Sequence, residues 1–319
     1  MNIITLRYLT LLLLLFINGC AHESEYEHGA IYKVDAKQLL EDIQFLASDE
    51  LQGRFPESEE SRMAQNFIIN RFHSLGLSSF QDDYEHPFQS MNPRSGQTFD
   101  NIKNLIGYTE GGINPERFIA VTAHYDHLGV VNGEIYNGAD DNASGTGGLL
   151  AAARYFSENQ PANSILFIAF DAEEQGLLGA YEFVNNPPVP LEQIVINLNM
   201  DMISINFQNE LYAVGTYHYP FLKPIIETAT RSAPVNVLFG YDSDQWPQDW
   251  TMASDHGPFH EKGIPFVYFG VEDHEHYHQP TDTFENINPE FYVDAVQTII
   301  RVLIHLDENL DEISAASGR

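Results

Sequence analysis

The stretch "SILFIAFDAEEQG", residues 164–176, decides the reading of this chain. After Ser164 every position to Phe170 is apolar, with no alternation, which suits a strand buried on both faces. The run then breaks into Asp171, Ala172, Glu173, Glu174, Gln175 and Gly176. Adjacent carboxylates repel each other and neither helps an apolar strand to pack, so the pair asks for a role outside packing. Three more runs share this character: "RFIAVTAH" (117–124), "QIVINLNM" (193–200) and "IPFVYFG" (264–270). Amphipathic stretches separate them, at 144–159, 176–184, 219–233 and 288–309. Buried strands alternating with helices predict an α/β fold: a single domain with a mainly parallel or mixed central β-sheet and helices on both faces.

Upstream, "DAKQLLEDIQFLASDE" (35–50) spaces Leu39, Leu40, Ile43 and Leu46 as a helix does. "EESRMAQNFIINRFHSLGL" (59–77) repeats the pattern with Met63, Phe67, Phe72 and Leu75, stopped by Gly76. Both predict helices covering the sheet. The Pro-rich "NNPPVP" (185–190) reads as a surface connection. No internal repeat, low-complexity segment or Gly/Ser linker divides the chain.

The 319 residues, 43% of them hydrophobic and including 21 Phe and 16 Tyr, can build a sizeable core. With 15 basic against 46 acidic residues, the formal net charge of -31 argues against a nucleic-acid partner and favours cations and cationic substrates. The first twenty residues, "MNIITLRYLTLLLLLFINGC", stand apart. Arg7 precedes an apolar run from Tyr8 to Ile17, shorter than the roughly 20 residues of a membrane span. The segment resembles a bacterial lipoprotein leader ending at Cys20, the only cysteine, so no disulfide is available. That resemblance implies a signal peptide over residues 1–20, a lipid on Cys20 as the membrane attachment, and export to the periplasmic face of the cell envelope. Ala21, rather than aspartate, after the cysteine points to the outer membrane. Residues 21–35 read as an acidic tether, and residues 36–319 as the folded domain.

Short polar motifs follow the predicted strands, at the carboxyl edge where open α/β sheets place their ligands. "TAHYDHLG" (122–129) carries His124, Asp126 and His127; "NGADDNASG" (137–145) carries Asp140 and Asp141. Then come Glu173 and Glu174, Asp201 in "NLNMDMIS" (197–204), and His278 in "HEHYHQPTDT" (274–283). Imidazole nitrogen with carboxylate oxygen suits zinc or another divalent first-row ion. Even three carboxylates and two histidines from this set exceed what one tetrahedral catalytic ion needs, and suit two ions sharing a carboxylate. Singly, each motif has a plainer explanation: a loop histidine, a turn aspartate, acids at a helix start. Their joint occurrence in this order carries the weight.

The pattern from Asp35 to Asn309 resembles the co-catalytic di-zinc aminopeptidases of secreted bacterial and fungal origin. Glutamate carboxypeptidase and glutaminyl cyclase belong to the same wider group. "FLASDELQGR" (45–54), "SDHGPF" (254–259) and "YHQPTDT" (277–283) belong to the match. The resemblance implies a zinc-exopeptidase fold and hydrolysis of N-terminal peptide bonds in peptides with a free amino terminus. It makes His124 and Asp201 ligands of one zinc, Glu174 and His278 ligands of the other, and Asp141 the bridge, with cobalt or manganese as possible substitutes. Asp126 would orient His124 through its far ring nitrogen, and Asp140 would be a neighbour without a ligand role. Glu173 would be the general base, taking a proton from the attacking water and passing it to the departing amine. Tyr241, in "LFGYDSDQW" (238–246), stands about where related enzymes carry an oxyanion donor. Asp255 and His256 support the site without ligating. On spacing alone His274, His276 and His278 could form a separate zinc site; "QPTDT" favours His278 as the family ligand. His127 reads either as a residue lining the substrate cleft or, more plainly, as a loop residue with a local hydrogen bond.

Rival readings are a single-zinc glutaminyl cyclase, a carboxypeptidase and a peptidase-like binding module. A carboxypeptidase would want basic residues for the substrate carboxylate, and a binding module would have lost ligands or the base. Serine hydrolysis does not fit, because "NASGTGG" lacks the G-x-S-x-G elbow around Ser144, and Leu150 spoils a dinucleotide fingerprint.

Overall fold

Each apolar run becomes a strand, and the four lie side by side in one sheet. The computed structural model describes residues 33–80 and 82–319. The expected leader and the tether as far as residue 32 lie outside the described residues. Val34 already donates its N–H to Gln297 Oε1 at 2.8 Å, and Asp35 caps the first helix by accepting from Gln38 N–H. The folded unit, Lys33–Arg319, thus takes in the end of the expected tether.

The helices are α1 (Ala36–Leu46), α2 (Glu59–Leu75), α3 (Gly145–Glu158), α4 (Leu178–Asn185), α5 (Leu222–Thr230), α6 (His256–Glu261), α7 (Pro289–Glu308) and α8 (Leu310–Ser317). The strands are β1 (Glu85–Met91), β2 (Thr98–Thr109), β3 (Asn114–His124), β4 (Gly129–Val131) and β5 (Glu134–Tyr136). They continue as β6 (Asn163–Phe170), β7 (Ile194–Met200), β8 (Glu210–Val214), β9 (Asn236–Phe239) and β10 (Phe266–Gly270). The eight-stranded sheet runs β1-β2-β6-β3-β7-β10-β8-β9. Its centre, β6-β3-β7-β10, is parallel, and antiparallel pairings of β2 with β6 and of β8 with β10 flank it. β4 and β5 form a separate hairpin turned by Asn132 and Gly133, both at positive φ, as a two-residue hairpin turn requires.

Every residue of β6 is buried, which accounts for its unbroken apolar run. Leu166, Ile168 and Phe170 pack with Ala180 and Phe183 of α4 and Phe259 of α6. The rings of Phe170 and Phe183 sit 5.8 Å apart, edge to face. Burying one such ring stabilises the fold by roughly 1.5–3 kcal/mol. Helices α1, α2, α3 and α7 pack on one another, and α3 lies against β3, β6 and β7.

In α2 the buried face is Ala64, Gln65, Ile68, Ile69 and Phe72, a shift from the stripe expected through Met63 and Phe67. Gln65 is buried because it donates to Tyr125 Oη at 2.9 Å, and Phe67 instead meets Phe45 with ring centroids 4.6 Å apart. Gly76, at φ 68, ends the helix in the left-handed conformation of a C-terminal cap. No described helix is long and apolar enough to cross a membrane.

The parallel register aligns the carboxyl ends of the central strands. His124 pairs with Phe170 across β3 and β6, and β7 ends at Met200. The segments carrying His124, Glu173 and Glu174, and Asp201 therefore leave the sheet along one edge.

Candidate metal centre

His124 closes β3 and is fully buried. Its Nδ1–H donates to the backbone carbonyl of Asp126 at 3.1 Å, which leaves Nε2 as the bare nitrogen. That Nε2 lies 3.4 Å from Asp141 Oδ1 and 3.4 Å from Asp201 Oδ1. A second group gathers around the other oxygen of the same aspartate: His278 Nε2 is 3.0 Å from Asp141 Oδ2 and 3.3 Å from Glu174 Oε2. His127 Nδ1 approaches Glu174 Oε1 to 2.7 Å. Donor atoms of His124, Asp141 and Asp201 lie within 4.8 Å of one another, as do those of His127, Asp141 and Glu174. Asp141 thus turns one oxygen toward each group.

Backbone hydrogen bonds hold these side chains in place. The Asp282 carboxylate accepts the N–H groups of Asp140 and Asp141 at 2.8 and 3.0 Å. Asn142 ties the loop to β7 by donating to the Met200 carbonyl at 2.9 Å. Asp140 faces away from both groups, accepting from Ser204 N–H, Ser204 Oγ and His274 Nε2. With His274 on Asp140 and His276 Nδ1 2.9 Å from Thr281 Oγ1, the histidines of "HEHYH" do not converge; only His278 joins the centre.

Asp126 lies beside the Nδ1 face of His124 and does more than face that ring. Its carboxylate lies 3.6 Å from His124 Nδ1 and accepts the N–H groups of Glu173 and Glu174 at 3.0 and 3.4 Å. Its backbone carbonyl and its carboxylate both face the far nitrogen of the histidine, and the carboxylate also anchors the acidic pair. Arg54, also fully buried, donates to the carbonyls of Leu46, Tyr125, Asn137 and Gly138, joining the loops that carry the ligands.

The electrostatics are those of a crowded, buried acid cluster. Burial pushes the Glu173 carboxyl well above its usual range; Glu174, Asp255 and Asp201 add to this and His124 opposes it. Burial also raises Asp141, but His127, His124 and His278 outweigh it and hold that carboxyl well below the usual range. For His124 burial works downward, yet the charges of Asp201 and Glu173 prevail and raise it. Asp255 is buried, its two oxygens have no partner, and burial pushes it well up. His124 Nε2, Asp201 Oδ1 and Glu174 Oε1 are likewise buried with no hydrogen bond. Unpaired nitrogen and oxygen atoms facing one another amid buried negative charge are what divalent cations would satisfy, so the donor set fits zinc.

A small cleft opens over this floor, walled by Met202, Trp250, Ala253, Tyr268, Val271 and Tyr277, with Asp273 beside them. No lysine or arginine is among the described residues lining it. Tyr241 is not in the lining: it is buried, stacked on Trp250 at 3.9 Å, and its hydroxyl donates to Glu272. The tyrosines that reach the cleft are Tyr268, whose hydroxyl donates to the Asp201 carbonyl at 3.3 Å, and Tyr277, stacked on His278. His256 supports the wall from behind, stacked on Tyr268 at 4.5 Å. The sequence carries no functional signal for Arg54 and Asp282 beyond their place in residues 45–54 and 274–283, and none that would make His127 part of the centre.

Residues 104–303 match peptidase family M28, and the chain belongs to that family. Aminopeptidase YwaD of Bacillus subtilis is 34% identical over 206 residues, covering 60% of this chain and 42% of that protein. A glutamate carboxypeptidase 2 homolog of Caenorhabditis briggsae is 28% identical over 207 residues, 58% of this chain and 26% of that one. The match thus spans less than half the length of these curated relatives. Among solved structures, a zinc aminopeptidase from Bacillus subtilis superposes with TM-score 0.70 at 18% identity, over 86% of this chain and 95% of its own. Porphyromonas gingivalis glutaminyl cyclase gives 0.68 at 19%, over 85% and 98%. These structural likenesses identify the shared zinc-exopeptidase fold.

Proposed function

We propose that this chain is a metal-dependent aminopeptidase, hydrolysing the N-terminal bond of peptides through two zinc ions bridged by Asp141, with Glu173 as general base. The observation that carries this reading is Asp141 itself, whose Oδ1 faces His124 and whose Oδ2 faces His278. His124 and Asp201 would complete one position, and Glu174 and His278 the other. When bound, the cations would acidify water and polarise the scissile carbonyl. Cobalt or manganese would suit the same donors.

The chain's own residues supply the rest. Glu173 Oε2 lies 4.0 Å from His124 Nε2, beside the centre but in neither ligand group. It takes the proton of the attacking water and delivers it to the departing amine. Asp126 holds the backbone of Glu173 and Glu174, so one acid ligates while its neighbour moves protons. The apolar cleft walls receive the substrate's first side chain and limit access of water. A lining of carboxylates without lysine or arginine suits a free ammonium group and leaves a terminal carboxylate without a partner. This favours aminopeptidase over carboxypeptidase action. Export with a lipid on Cys20 would place the activity in the cell envelope.

The test is Glu173→Gln. Hydrolysis of an aminoacyl chromogenic substrate should fall by about 10²–10⁴-fold, with bound zinc unchanged. Chelation should abolish wild-type activity and added zinc restore it. Full activity in the variant would refute the assigned role.

A further inference from the structure

We infer that His127 is a direct ligand of the ion on the Asp141–Glu174 side, so that this position is closed by four side chains while the His124–Asp201 position stays open. The inference rests on the two-ion reading of the centre and adds an asymmetry to it.

His127 is wholly buried, and neither ring nitrogen has a hydrogen-bond partner. Its Nδ1 lies 2.7 Å from Glu174 Oε1 and 3.9 Å from Asp141 Oδ2. The first separation is short enough for a hydrogen bond, yet both atoms remain without one. A ring N–H that misses an oxygen at this distance is poorly placed as a donor. Donor atoms of His127, Glu174 and Asp141 lie within 4.8 Å of one another, close enough to serve as co-ligands of one cation. The ring is also confined: a Cβ on Gly138, itself at φ 58, would come within 2.6 Å of His127 Cγ and Cδ2. The glycine before the "ADD" segment therefore admits this imidazole.

His278 reaches the same pair of carboxylates as a separate, more exposed ring, its centroid 5.9 Å from that of His127. Together His127, His278, Glu174 and Asp141 offer zinc the four donors of a closed site. His124, Asp201 and Asp141 offer three, as catalytic sites with an open position do. Glu173 stands on the three-donor side. A position closed by His127, His278, Glu174 and Asp141 would hold its ion more tightly, and the three-donor position would be left for water and substrate.

The test uses wild-type crystals soaked with zinc alone, mapped by anomalous scattering. The expected result is zinc within about 2.0–2.1 Å of His127 Nδ1. Zinc on Asp141 and Glu174 with His127 Nδ1 beyond about 3 Å, outside any zinc–nitrogen bond, would overturn this inference and leave the peptidase reading standing. Zinc absent from both positions would overturn that reading as well. Calorimetric titration of His127→Phe with zinc should weaken the tighter step at least about 100-fold and spare the weaker one. Equal losses in both steps, or none, would count against ligation.

Discussion

Acid should unfold this protein partly through His256, a residue outside the metal centre. At the start of α6, its Nε2–H donates to the Trp250 carbonyl at 2.8 Å, and Nδ1 faces the Asn199 amide at 3.5 Å. Both contacts suit a neutral ring. Burial pulls its pKa down to about 3, with His260 adding to the effect and the Trp250 carbonyl opposing it. In the unfolded chain the pKa returns to about 6.5. A depressed folded value means that the native state binds fewer protons. Its contribution is complete above about pH 6.5 and is lost as the pH falls toward 3. The loss is about 2 kcal/mol at pH 5, about 3 at pH 4 and about 5 once both states are protonated. Against a usual total of about 5–15 kcal/mol, this is a large share. His256→Gln keeps a donor and an acceptor but cannot titrate. Urea unfolding of both proteins at pH 7 and pH 5, at one zinc concentration, cancels the carboxyl groups they share. The stability gap between wild type and variant should narrow by about 2 kcal/mol at the lower pH. Parallel pH profiles would show that the ring is not held neutral and would refute the reasoning.

Arg54→Met should leave the carbonyls of Tyr125, Asn137 and Gly138 without their donor, lowering stability by about 3 kcal/mol or more and weakening zinc binding. Denaturant midpoints and zinc titration would check both effects, and a variant unchanged in both would contradict the clamp. Gly53→Ala should cost well over about 1 kcal/mol, because at φ 71 its Cβ would overlap the Tyr136 carbonyl oxygen. Gly96→Ala, at φ 75 but facing open space, should cost only about 1 kcal/mol. Thermal midpoints of the two variants would separate packing from backbone strain.

The α/β architecture was legible in the chain because strands buried on both faces carry nearly continuous apolar runs, as β6 does from Ile165 to Phe170. The carboxyl-edge placement of His124, Glu173, Glu174 and Asp201 came from the same runs, since each motif directly succeeds one. Contacts between distant segments were not legible in this way. Arg54 meets Tyr125 and Gly138, the Asp282 carboxylate reaches Asp140, and the Asp126 side chain holds the acidic pair. Tyr241 sat near a plausible oxyanion position, yet packing against Trp250 turned it into an aromatic cluster. His127 read as an ordinary loop residue until the fold brought Glu174 to it. Burial of a strand is written in neighbouring residues, whereas the direction of a lone pair depends on where loops from separate strands meet. Composition and order therefore determined the scaffold and nominated the ligands; only tertiary convergence decided which atoms share a centre.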